Sequence, residues 1–217
     1  MENVLTEVFV DRMSSARFSS FIDASDGNVD RAIRLYEWNA QLSASIFELL
    51  GHVEVVIRNA IHKELALWNH RQFGSPNWFE NHHGVLVSKA VQDINTVIER
   101  IIRKNRKVTP DRVVSELSFG FWRFLLAKQY RTTLWPAAIK EAFPNLEHAG
   151  VENLASRMSN LHELRNRIAH HEPIHRRRLD DDISDCEFVI ASICEDTAEW
   201  AVLGSRALEI LQSRPFD

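Results

Sequence analysis

The segment LHELRNRIAHHEPI, which runs from Leu161 to Ile174, gathers the side chains of this chain that are best suited to acid–base chemistry. Its candidate functional groups are Arg165, Asn166, His170 and His171. On a helix with about 100° per residue, Asn166 lies about 100° and His170 about 140° from Arg165. These three side chains share one arc and can converge on one ligand. His171 lies about 240° from Arg165 and faces away from that arc.

A histidine, an arginine and an amide on one arc suffice to cleave RNA without a metal ion. Deprotonating a ribose 2′-hydroxyl needs a base with a pKa near neutrality, which an ordinary histidine approximates. The negative charge of the phosphorane needs a fixed cation, which a bidentate arginine supplies. On this interpretation His170 transfers the proton, Arg165 stabilises the transition state, and Asn166 holds the His170 ring or the phosphate. The product is a 2′,3′-cyclic phosphate.

Several other chemistries are excluded by the sequence. His162 and Glu163 begin an H-E-x-x pattern, but Asn166 occupies the position of the second histidine of a zinc protease. The sequence has no glycine-rich phosphate loop, G-x-S-x-G turn or kinase signature. The adjacent His82 and His83 point in different directions and lack an acidic or Cys partner, so no metal site is predicted there. We expect neither a metal nor a cofactor.

A structural interpretation of the motif is also open at this point. Arg165 and Asn166 can cap or brace a helix end, and His170 and His171 can simply precede a turn at Pro173. Arg165 borders the apolar stripe of its helix, however, and an unpaired guanidinium is costly to bury. We therefore expect Arg165 to need an anionic or carbonyl partner.

The element that must position the motif is a helix from Val151 to Ala169. Its apolar residues recur at helical spacing and should face the core: Leu154, Met158, Leu161, Leu164 and Ile168. The whole chain has 217 residues, 45% hydrophobic and 26% charged, with 7 Gly and 6 Pro. This composition favours a single all-helical domain over residues 1–217.

Net charge and cysteine usage bound the partners and the compartment. The formal net charge of −4 argues against general attraction to nucleic acid, so RNA must be bound by a local basic patch. Cys186 and Cys194 lack metal-ligand spacing and are expected to be free thiols. The sequence begins without a basic segment followed by an apolar run, and no uninterrupted run of about 18 apolar residues occurs. We expect a cytoplasmic protein without a membrane partner.

Further apolar repeats predict a long helix and a basic one. A near-helical period extends over about forty residues, through Ile33, Leu35, Trp38, Leu42, Ile46, Leu49, Val53, Val56, Ala60, Leu65 and Trp68. A second helix, from Val85 to Lys104, ends in a cluster of cations: Arg100, Arg103, Lys104, Arg106 and Lys107. These cations either complement the helix macrodipole or contact RNA phosphates.

The remaining repeats predict a buried aromatic segment and a C-terminal helix. The segment from Leu117 to Leu126 is so densely apolar that it must be buried, either in the core or against a second subunit. An aromatic stripe of this kind is more often core than a platform on which bases stack. Arginines at 176–178 followed by aspartates at 180–182 indicate a solvated turn. After that turn, one helix is expected from Asp182 to Trp200 or on to Leu211.

Supporting residues are expected elsewhere in the long helix. Glu54 and Arg58 stand one turn apart and can pair as an ordinary surface ion pair. Arg58 and Asn59 also repeat the Arg-Asn pair of the motif, so all three residues are candidates to line the same cleft. His171 is a further supporting candidate.

Read as R-N-x-x-x-H, the motif resembles the Arg-x(4 to 6)-His motif of the HEPN superfamily, and LRNRIAHHEPI resembles its abortive-infection (Abi-like) branch. Two further segments are similar to that branch: YEWNAQLSASIFELLGHVEVVIRN, from Tyr36 to Asn59, and LSFGFWRFLL, from Leu117 to Leu126. Three segments in this order and at this separation are far more specific than the short motif. The resemblance spans about residues 30 to 205, which it implies are the core of the domain. The resemblance implies an all-helical domain that dimerises and, in many members, cleaves RNA without a metal ion.

Three functions follow as hypotheses. The first is a metal-independent endoribonuclease toxin that defends against phage. The second is a non-catalytic RNA- or nucleotide-binding module that uses the basic helix end. The third is a dimeric protein-interaction module with its interface around Phe119 to Leu126. One histidine serves only one end of a transesterification, so a nuclease should be a two-fold dimer with facing motifs. Expected partners are RNA, a second copy, and an antitoxin or phage trigger.

Overall fold

The computed structural model describes residues 8, 11–80, 84–146 and 150–216, and these ranges contain helices and no strand. The α-helices, numbered in chain order, are α1 (Ser15–Asp23), α2 (Val29–Phe73), α3 (Ser88–Arg103), α4 (Pro110–Glu116), α5 (Phe119–Phe124), α6 (Leu134–Ala137), α7 (Gly150–Ala169), α8 (Leu179–Ala191), α9 (Glu195–Gly204) and α10 (Ala207–Gln212). Short 3-10 helices at Lys128–Tyr130 and Ile139–Ala142 flank α6. The predicted all-α fold is confirmed.

Helix α2 is the long helix that the apolar repeat predicts. Its 45 residues begin after Asn28, whose side chain accepts a hydrogen bond from the Arg31 amide at 3.0 Å, and end at Gly74 in the left-handed conformation. In the second half of the helix the buried side chains are Ile57 and Ile61, whereas the predicted Val56 and Ala60 are only partly buried. The prediction is wrong by one residue at these two positions, whereas the predicted Val53 and Leu65 are buried.

Helix α2 is also the centre of the molecule. By length and composition alone it is apolar enough to cross a bilayer, because its most apolar 18-residue window has a mean hydropathy of 1.3. Its buried side chains, however, are distributed from Ala32 to Asn69, and α1, α4, α5 and α7 to α10 pack around it. It is therefore a core helix on which the other elements assemble.

The aromatic segment lies in the core of the subunit. Phe119, Phe121, Trp122, Leu125 and Leu126 are each at most 3% exposed. Helix α5 begins at Ser118, whose hydroxyl accepts a hydrogen bond from the Phe121 amide at 3.3 Å, and packs against α7. The expectation that this segment belongs to the core is confirmed.

The single helix predicted at the C-terminus is wrong. The chain forms three helices there, α8, α9 and α10. The first break follows Ala191, where the Ser192 hydroxyl donates to the carbonyl of Val189 at 2.7 Å and so competes with the helix. The second break lies at Ser205, whose hydroxyl accepts from the Ala207 amide at 3.1 Å. Two serines inside an otherwise periodic pattern therefore end two helices.

Candidate functional site

Helix α7 carries the motif and ends inside it. The five predicted core residues of this helix are all buried, which confirms its apolar face: Leu154, Met158, Leu161, Leu164 and Ile168. The His170 amide donates to the carbonyl of Asn166 at 3.0 Å, so the backbone of His170 keeps the helical register. The arc that Arg165, Asn166 and His170 should share is consistent with this register.

His171 terminates the helix in a left-handed conformation. Its φ is 55°, its amide donates to the carbonyl of Ile168 at 2.9 Å, and the Glu172 amide donates to the carbonyl of Arg167 at 2.8 Å. These two bonds define a Schellman motif, which normally has glycine at the position of His171. The backbone thus turns away at His171, so the two adjacent histidines of the motif occupy different conformations.

The two arginines of the motif have different surroundings. Arg167 closes the turn, because its Nη2 donates to the carbonyl of Pro173 at 2.9 Å and its Nη1 lies 3.5 Å from a carboxylate oxygen of Glu172. Arg165 is half-buried and forms neither a hydrogen bond nor an ion pair with any residue that the structure describes. Arg167 is therefore structural, whereas the guanidinium of Arg165 is available to an anionic ligand.

Asn166 contacts His162, which was not predicted as a site residue from the sequence. Its Nδ2 lies 3.5 Å from Nε2 of His162, one turn earlier in α7. The His162 ring stacks on Phe119 of α5, with centroids 6.0 Å apart and planes at 21°. Burial, and then the positive charges of Arg123 and Arg165, lower the pKa of His162 below its ordinary value. His162 is therefore neutral at neutral pH.

A row of polar residues follows one ridge of α7. His162, Asn166 and His170 are spaced by four residues and share a face of the helix. This four-residue spacing is the pattern in the sequence that could have indicated His162 as a neighbour of the motif. His170 and His171 are both exposed, and their imidazole rings form no hydrogen bond within the described ranges. Either ring is thus accessible from solvent. The two side chains differ in direction because the backbone leaves the helical conformation at His171.

The supporting residues predicted on α2 lie in a different pocket. Arg58 and Asn59 line a pocket of about 580 Å³ together with His62 and residues of α4, and no residue of the motif lines it. Glu54 and Arg58 do not form an ion pair among the described residues, and the Nε of Arg58 is buried without a partner there. Within one subunit, Arg58 and Asn59 are therefore not brought to the motif.

The basic end of α3 is partly neutralised. Glu116 of α4 lies 3.1 Å from the guanidinium of Arg100 and 3.9 Å from the ammonium of Lys104. Three further cations are exposed and form no ion pair in the described part of the chain: Arg103, Arg106 and Lys107. A basic surface remains, but only part of the predicted cluster is free to contact phosphate.

A buried ionic network fixes α7 from its other side. Arg177 donates to both carboxylate oxygens of Asp182, at 2.9 and 2.8 Å, and to Oδ1 of Asn160 on α7 at 2.7 Å. Asp185 accepts from Asn160 at 2.7 Å and from Arg157 at 2.7 Å. Asp182 is only 2% exposed, and this pairing raises the pKa of Arg177. Four residues of the predicted solvated turn are exposed, Arg176, Arg178, Asp180 and Asp181, but the prediction is wrong for Arg177 and Asp182, whose charges form this network.

The remaining candidates for a metal or thiol site are the adjacent histidines at 82 and 83 and the two cysteines. His82 and His83 lie outside the described residues. Within the described ranges no group of three His, Cys, Asp or Glu side chains is arranged to hold a metal ion. Cys186 is buried and Cys194 is half-buried, and both are free thiols. Burial raises the pKa of the Cys186 thiol far above its ordinary value, so this group is a core residue.

The chain matches the family model of the Abi-like proteins over residues 7–176. The match includes α2, the aromatic segment and the whole motif helix. The protein belongs to the Abi-like family, which links it to abortive-infection defence. No curated protein and no solved structure matches the chain.

Proposed function

We propose that this protein is a metal-independent endoribonuclease of the HEPN type that acts in abortive infection. The observation that carries the proposal is the half-buried guanidinium of Arg165, which has no ion pair among the described residues and lies beside Asn166 and five residues before the exposed His170. A cation kept without a counter-ion next to an accessible histidine suits a phosphodiester. Membership of the Abi-like family supports the biological setting.

The reaction follows from these groups. His170 removes the proton of a ribose 2′-hydroxyl, and the oxygen attacks the neighbouring phosphorus. Arg165 binds the non-bridging oxygens and stabilises the charge of the phosphorane. The bond from phosphorus to the 5′-oxygen breaks, a second acid protonates that oxygen, and a 2′,3′-cyclic phosphate remains. Asn166 orients the phosphate or the adjacent rings through its amide.

The second acid is supplied by a second copy of the chain. The outer face of α2 carries an exposed apolar stripe at helical spacing, formed by Ala40, Ala44, Phe47, Gly51 and Val55. Part of this stripe, with Ala169 and His171 at the end of the motif helix, lines a pocket of about 470 Å³. A two-fold dimer that covers this pocket brings two motif ends together. The cytoplasmic location expected from the sequence is part of the same proposal.

Product chemistry tests the nuclease directly. The purified protein is incubated in EDTA with an RNA oligonucleotide and with the same oligonucleotide carrying a single 2′-deoxy nucleotide at the cleavage site. The proposal predicts a 2′,3′-cyclic phosphate end from the first and no cleavage of the second, because the attacking hydroxyl is missing. Cleavage of both substrates, or loss of cleavage in EDTA, would falsify the mechanism.

A non-catalytic RNA-binding module is the second candidate. The exposed cations at the end of α3, Arg103, Arg106 and Lys107, favour it. Under this hypothesis the protein binds RNA with a strong salt dependence, cleaves none, and is indifferent to His170→Ala. The third hypothesis required an exposed interface around Phe119 to Leu126, and the burial of that segment in the subunit core removes its main support.

A further inference from the structure

A second arginine without a carboxylate partner lies against the motif helix. Arg123 of α5 donates from Nη1 to the hydroxyl of Ser159 on α7 at 3.4 Å. Its Nε is buried and has no hydrogen-bond partner among the described residues. The side chain is thus held at the contact between α5 and α7 by one weak hydrogen bond, and part of its donor capacity is unused.

Other arginines that contact α7 have carboxylate partners. Arg131 pairs with Glu152, Arg157 with Asp185, Arg167 with Glu172 and Arg177 with Glu163. Arg123 and Arg165 differ, because neither forms an ion pair within the part of the chain that the structure describes. Both positive charges lower the pKa of His162, so both arginines lie close enough to its ring to act on it. Because neither guanidinium is neutralised by a carboxylate of the described residues, both are available to an anionic ligand.

The contact between α5 and α7 is shaped around His162. A Cβ at Gly120 would lie 3.1 Å from Nε2 of His162, so the absence of a side chain lets α5 approach the ring closely. Ser159 and Arg165 are six residues apart, which corresponds to about 9 Å along the helix. One phosphate group is too small to contact both ends of this distance, whereas two neighbouring phosphates of a strand can do so.

Arg123 also lines a pocket that extends toward the basic end of α3. Arg123 and Arg100 share this pocket of about 560 Å³, which also contains the carboxylates of Asp93 and Glu116, paired with Lys89 and Arg100. Arg123 therefore lies between the motif on α7 and the end of α3, and in this pocket it is the cation without a carboxylate partner. A strand that leaves Arg165 in this direction passes Arg123 before it reaches the exposed cations beyond Arg100.

We propose that Arg123, with Ser159 and His162, binds the phosphate next to the scissile one and directs the RNA strand from Arg165 toward the basic end of α3. The proposal rests on the nuclease function but concerns binding, so the two can fail separately. Arg123 contacts the backbone and not the bases, so this contact is independent of sequence. Ser159 orients the guanidinium, and Gly120 lets α5, which carries Arg123, approach the motif helix closely.

Binding of an uncleavable strand tests this inference. Fluorescence anisotropy is measured with a single-stranded oligonucleotide in which every nucleotide is 2′-deoxy, for the wild type and for Arg123→Gln, over a range of salt concentrations. Losing one phosphate contact should flatten the slope of log Kobs against log salt by about 0.7 and weaken binding. Arg131→Gln is the matched control, because Arg131 also has a buried, unpartnered Nε among the described residues but pairs with Glu152. Its salt slope should be unchanged.

The outcomes separate the two proposals. If Arg123→Gln is folded by circular dichroism and binds with the wild-type affinity and salt slope, the strand does not pass Arg123 and the inference is wrong. If Arg123→Gln does not fold, Arg123→Lys retains the charge, and it should keep the slope while binding more weakly. If the salt slope of binding depends on Arg123 but no RNA is cleaved, the proposed phosphate contact stands and the proposed nuclease activity is wrong.

Discussion

Nδ2 of Asn166 lies 3.5 Å from Nε2 of His162, whereas the ring of His170, one turn later on the same ridge, forms no hydrogen bond in the described ranges. The amide therefore belongs to a pre-organised half of the site, in which packing against Phe119 fixes the histidine ring. His170 belongs to the accessible half, where a substrate hydroxyl can reach it. The site thus combines one fixed and one free histidine on either side of Asn166.

Asp182→Asn should destabilise the protein strongly. The substitution removes the negative charge beside Arg177 in a pair whose carboxylate is 2% exposed, and breaking a buried ion pair costs about 3 to 5 kcal/mol. Asp181→Asn is the matched control, since Asp181 pairs at 2.8 Å with Arg178, whose side chain is 87% exposed, and should cost less than about 1 kcal/mol. Urea denaturation measures both values, and equal losses would exclude a structural role for the network.

His175 should make the protein less stable in mild acid. Burial, and then the charges of Arg176 and Arg214, lower the pKa of His175 from 6.5 to about 4. Because the unfolded chain binds a proton below about pH 6.5 and the folded chain does so only near pH 4, the free energy of unfolding should fall between these values by roughly 1 to 3 kcal/mol. Denaturation curves at several pH values measure the loss, and it should disappear in His175→Phe. A loss that persists in this variant would assign it to other groups.

His171→Gly should stabilise the fold by about 1 kcal/mol. His171 has a φ of 55°, and a left-handed conformation costs a residue with a Cβ about 1 to 2 kcal/mol, part of which glycine loses again through its flexible unfolded state. Thermal unfolding measures the gain. A destabilised His171→Gly would indicate that the imidazole, and not the backbone, holds this turn.

Phe47→Asp should convert a dimer into a monomer. Phe47 is 44% exposed on the apolar stripe of α2 and borders the pocket at the end of the motif helix. Leu67→Asp changes a residue of the same helix that is 43% exposed but lies outside the stripe, so it should leave the dimer intact. Light scattering at micromolar concentration measures the masses. A wild-type monomer, or equal effects of the two variants, would contradict the proposed interface.

Local patterns in the sequence predicted the helices well, and tertiary contacts determined what was missed. Five apolar residues at helical spacing were enough to place the buried face of α7. Val56 and Ala60 were assigned to the buried face in place of Ile57 and Ile61, because an apolar residue stands next to an apolar residue at both places and the period alone does not choose between them. Arg123 and His162 are 39 residues apart in the sequence, and only the packing of α5 on α7 brings them together. The Arg177 and Asp182 pair was assigned to solvent because a charge run alone does not reveal burial.

The rate of cleavage of one RNA oligonucleotide in EDTA, measured for the wild type, Arg165→Ala, His170→Ala and His171→Ala, tests the central claim most directly. Loss of a positioned general base removes about 10² to 10⁴ in rate, so His170→Ala and a folded Arg165→Ala should lose most activity. His171→Ala should retain most of it, because the backbone turns away from the arc at His171. Equal losses in the two histidine variants, with both proteins folded and dimeric, would contradict the assignment of His170 as the catalytic residue.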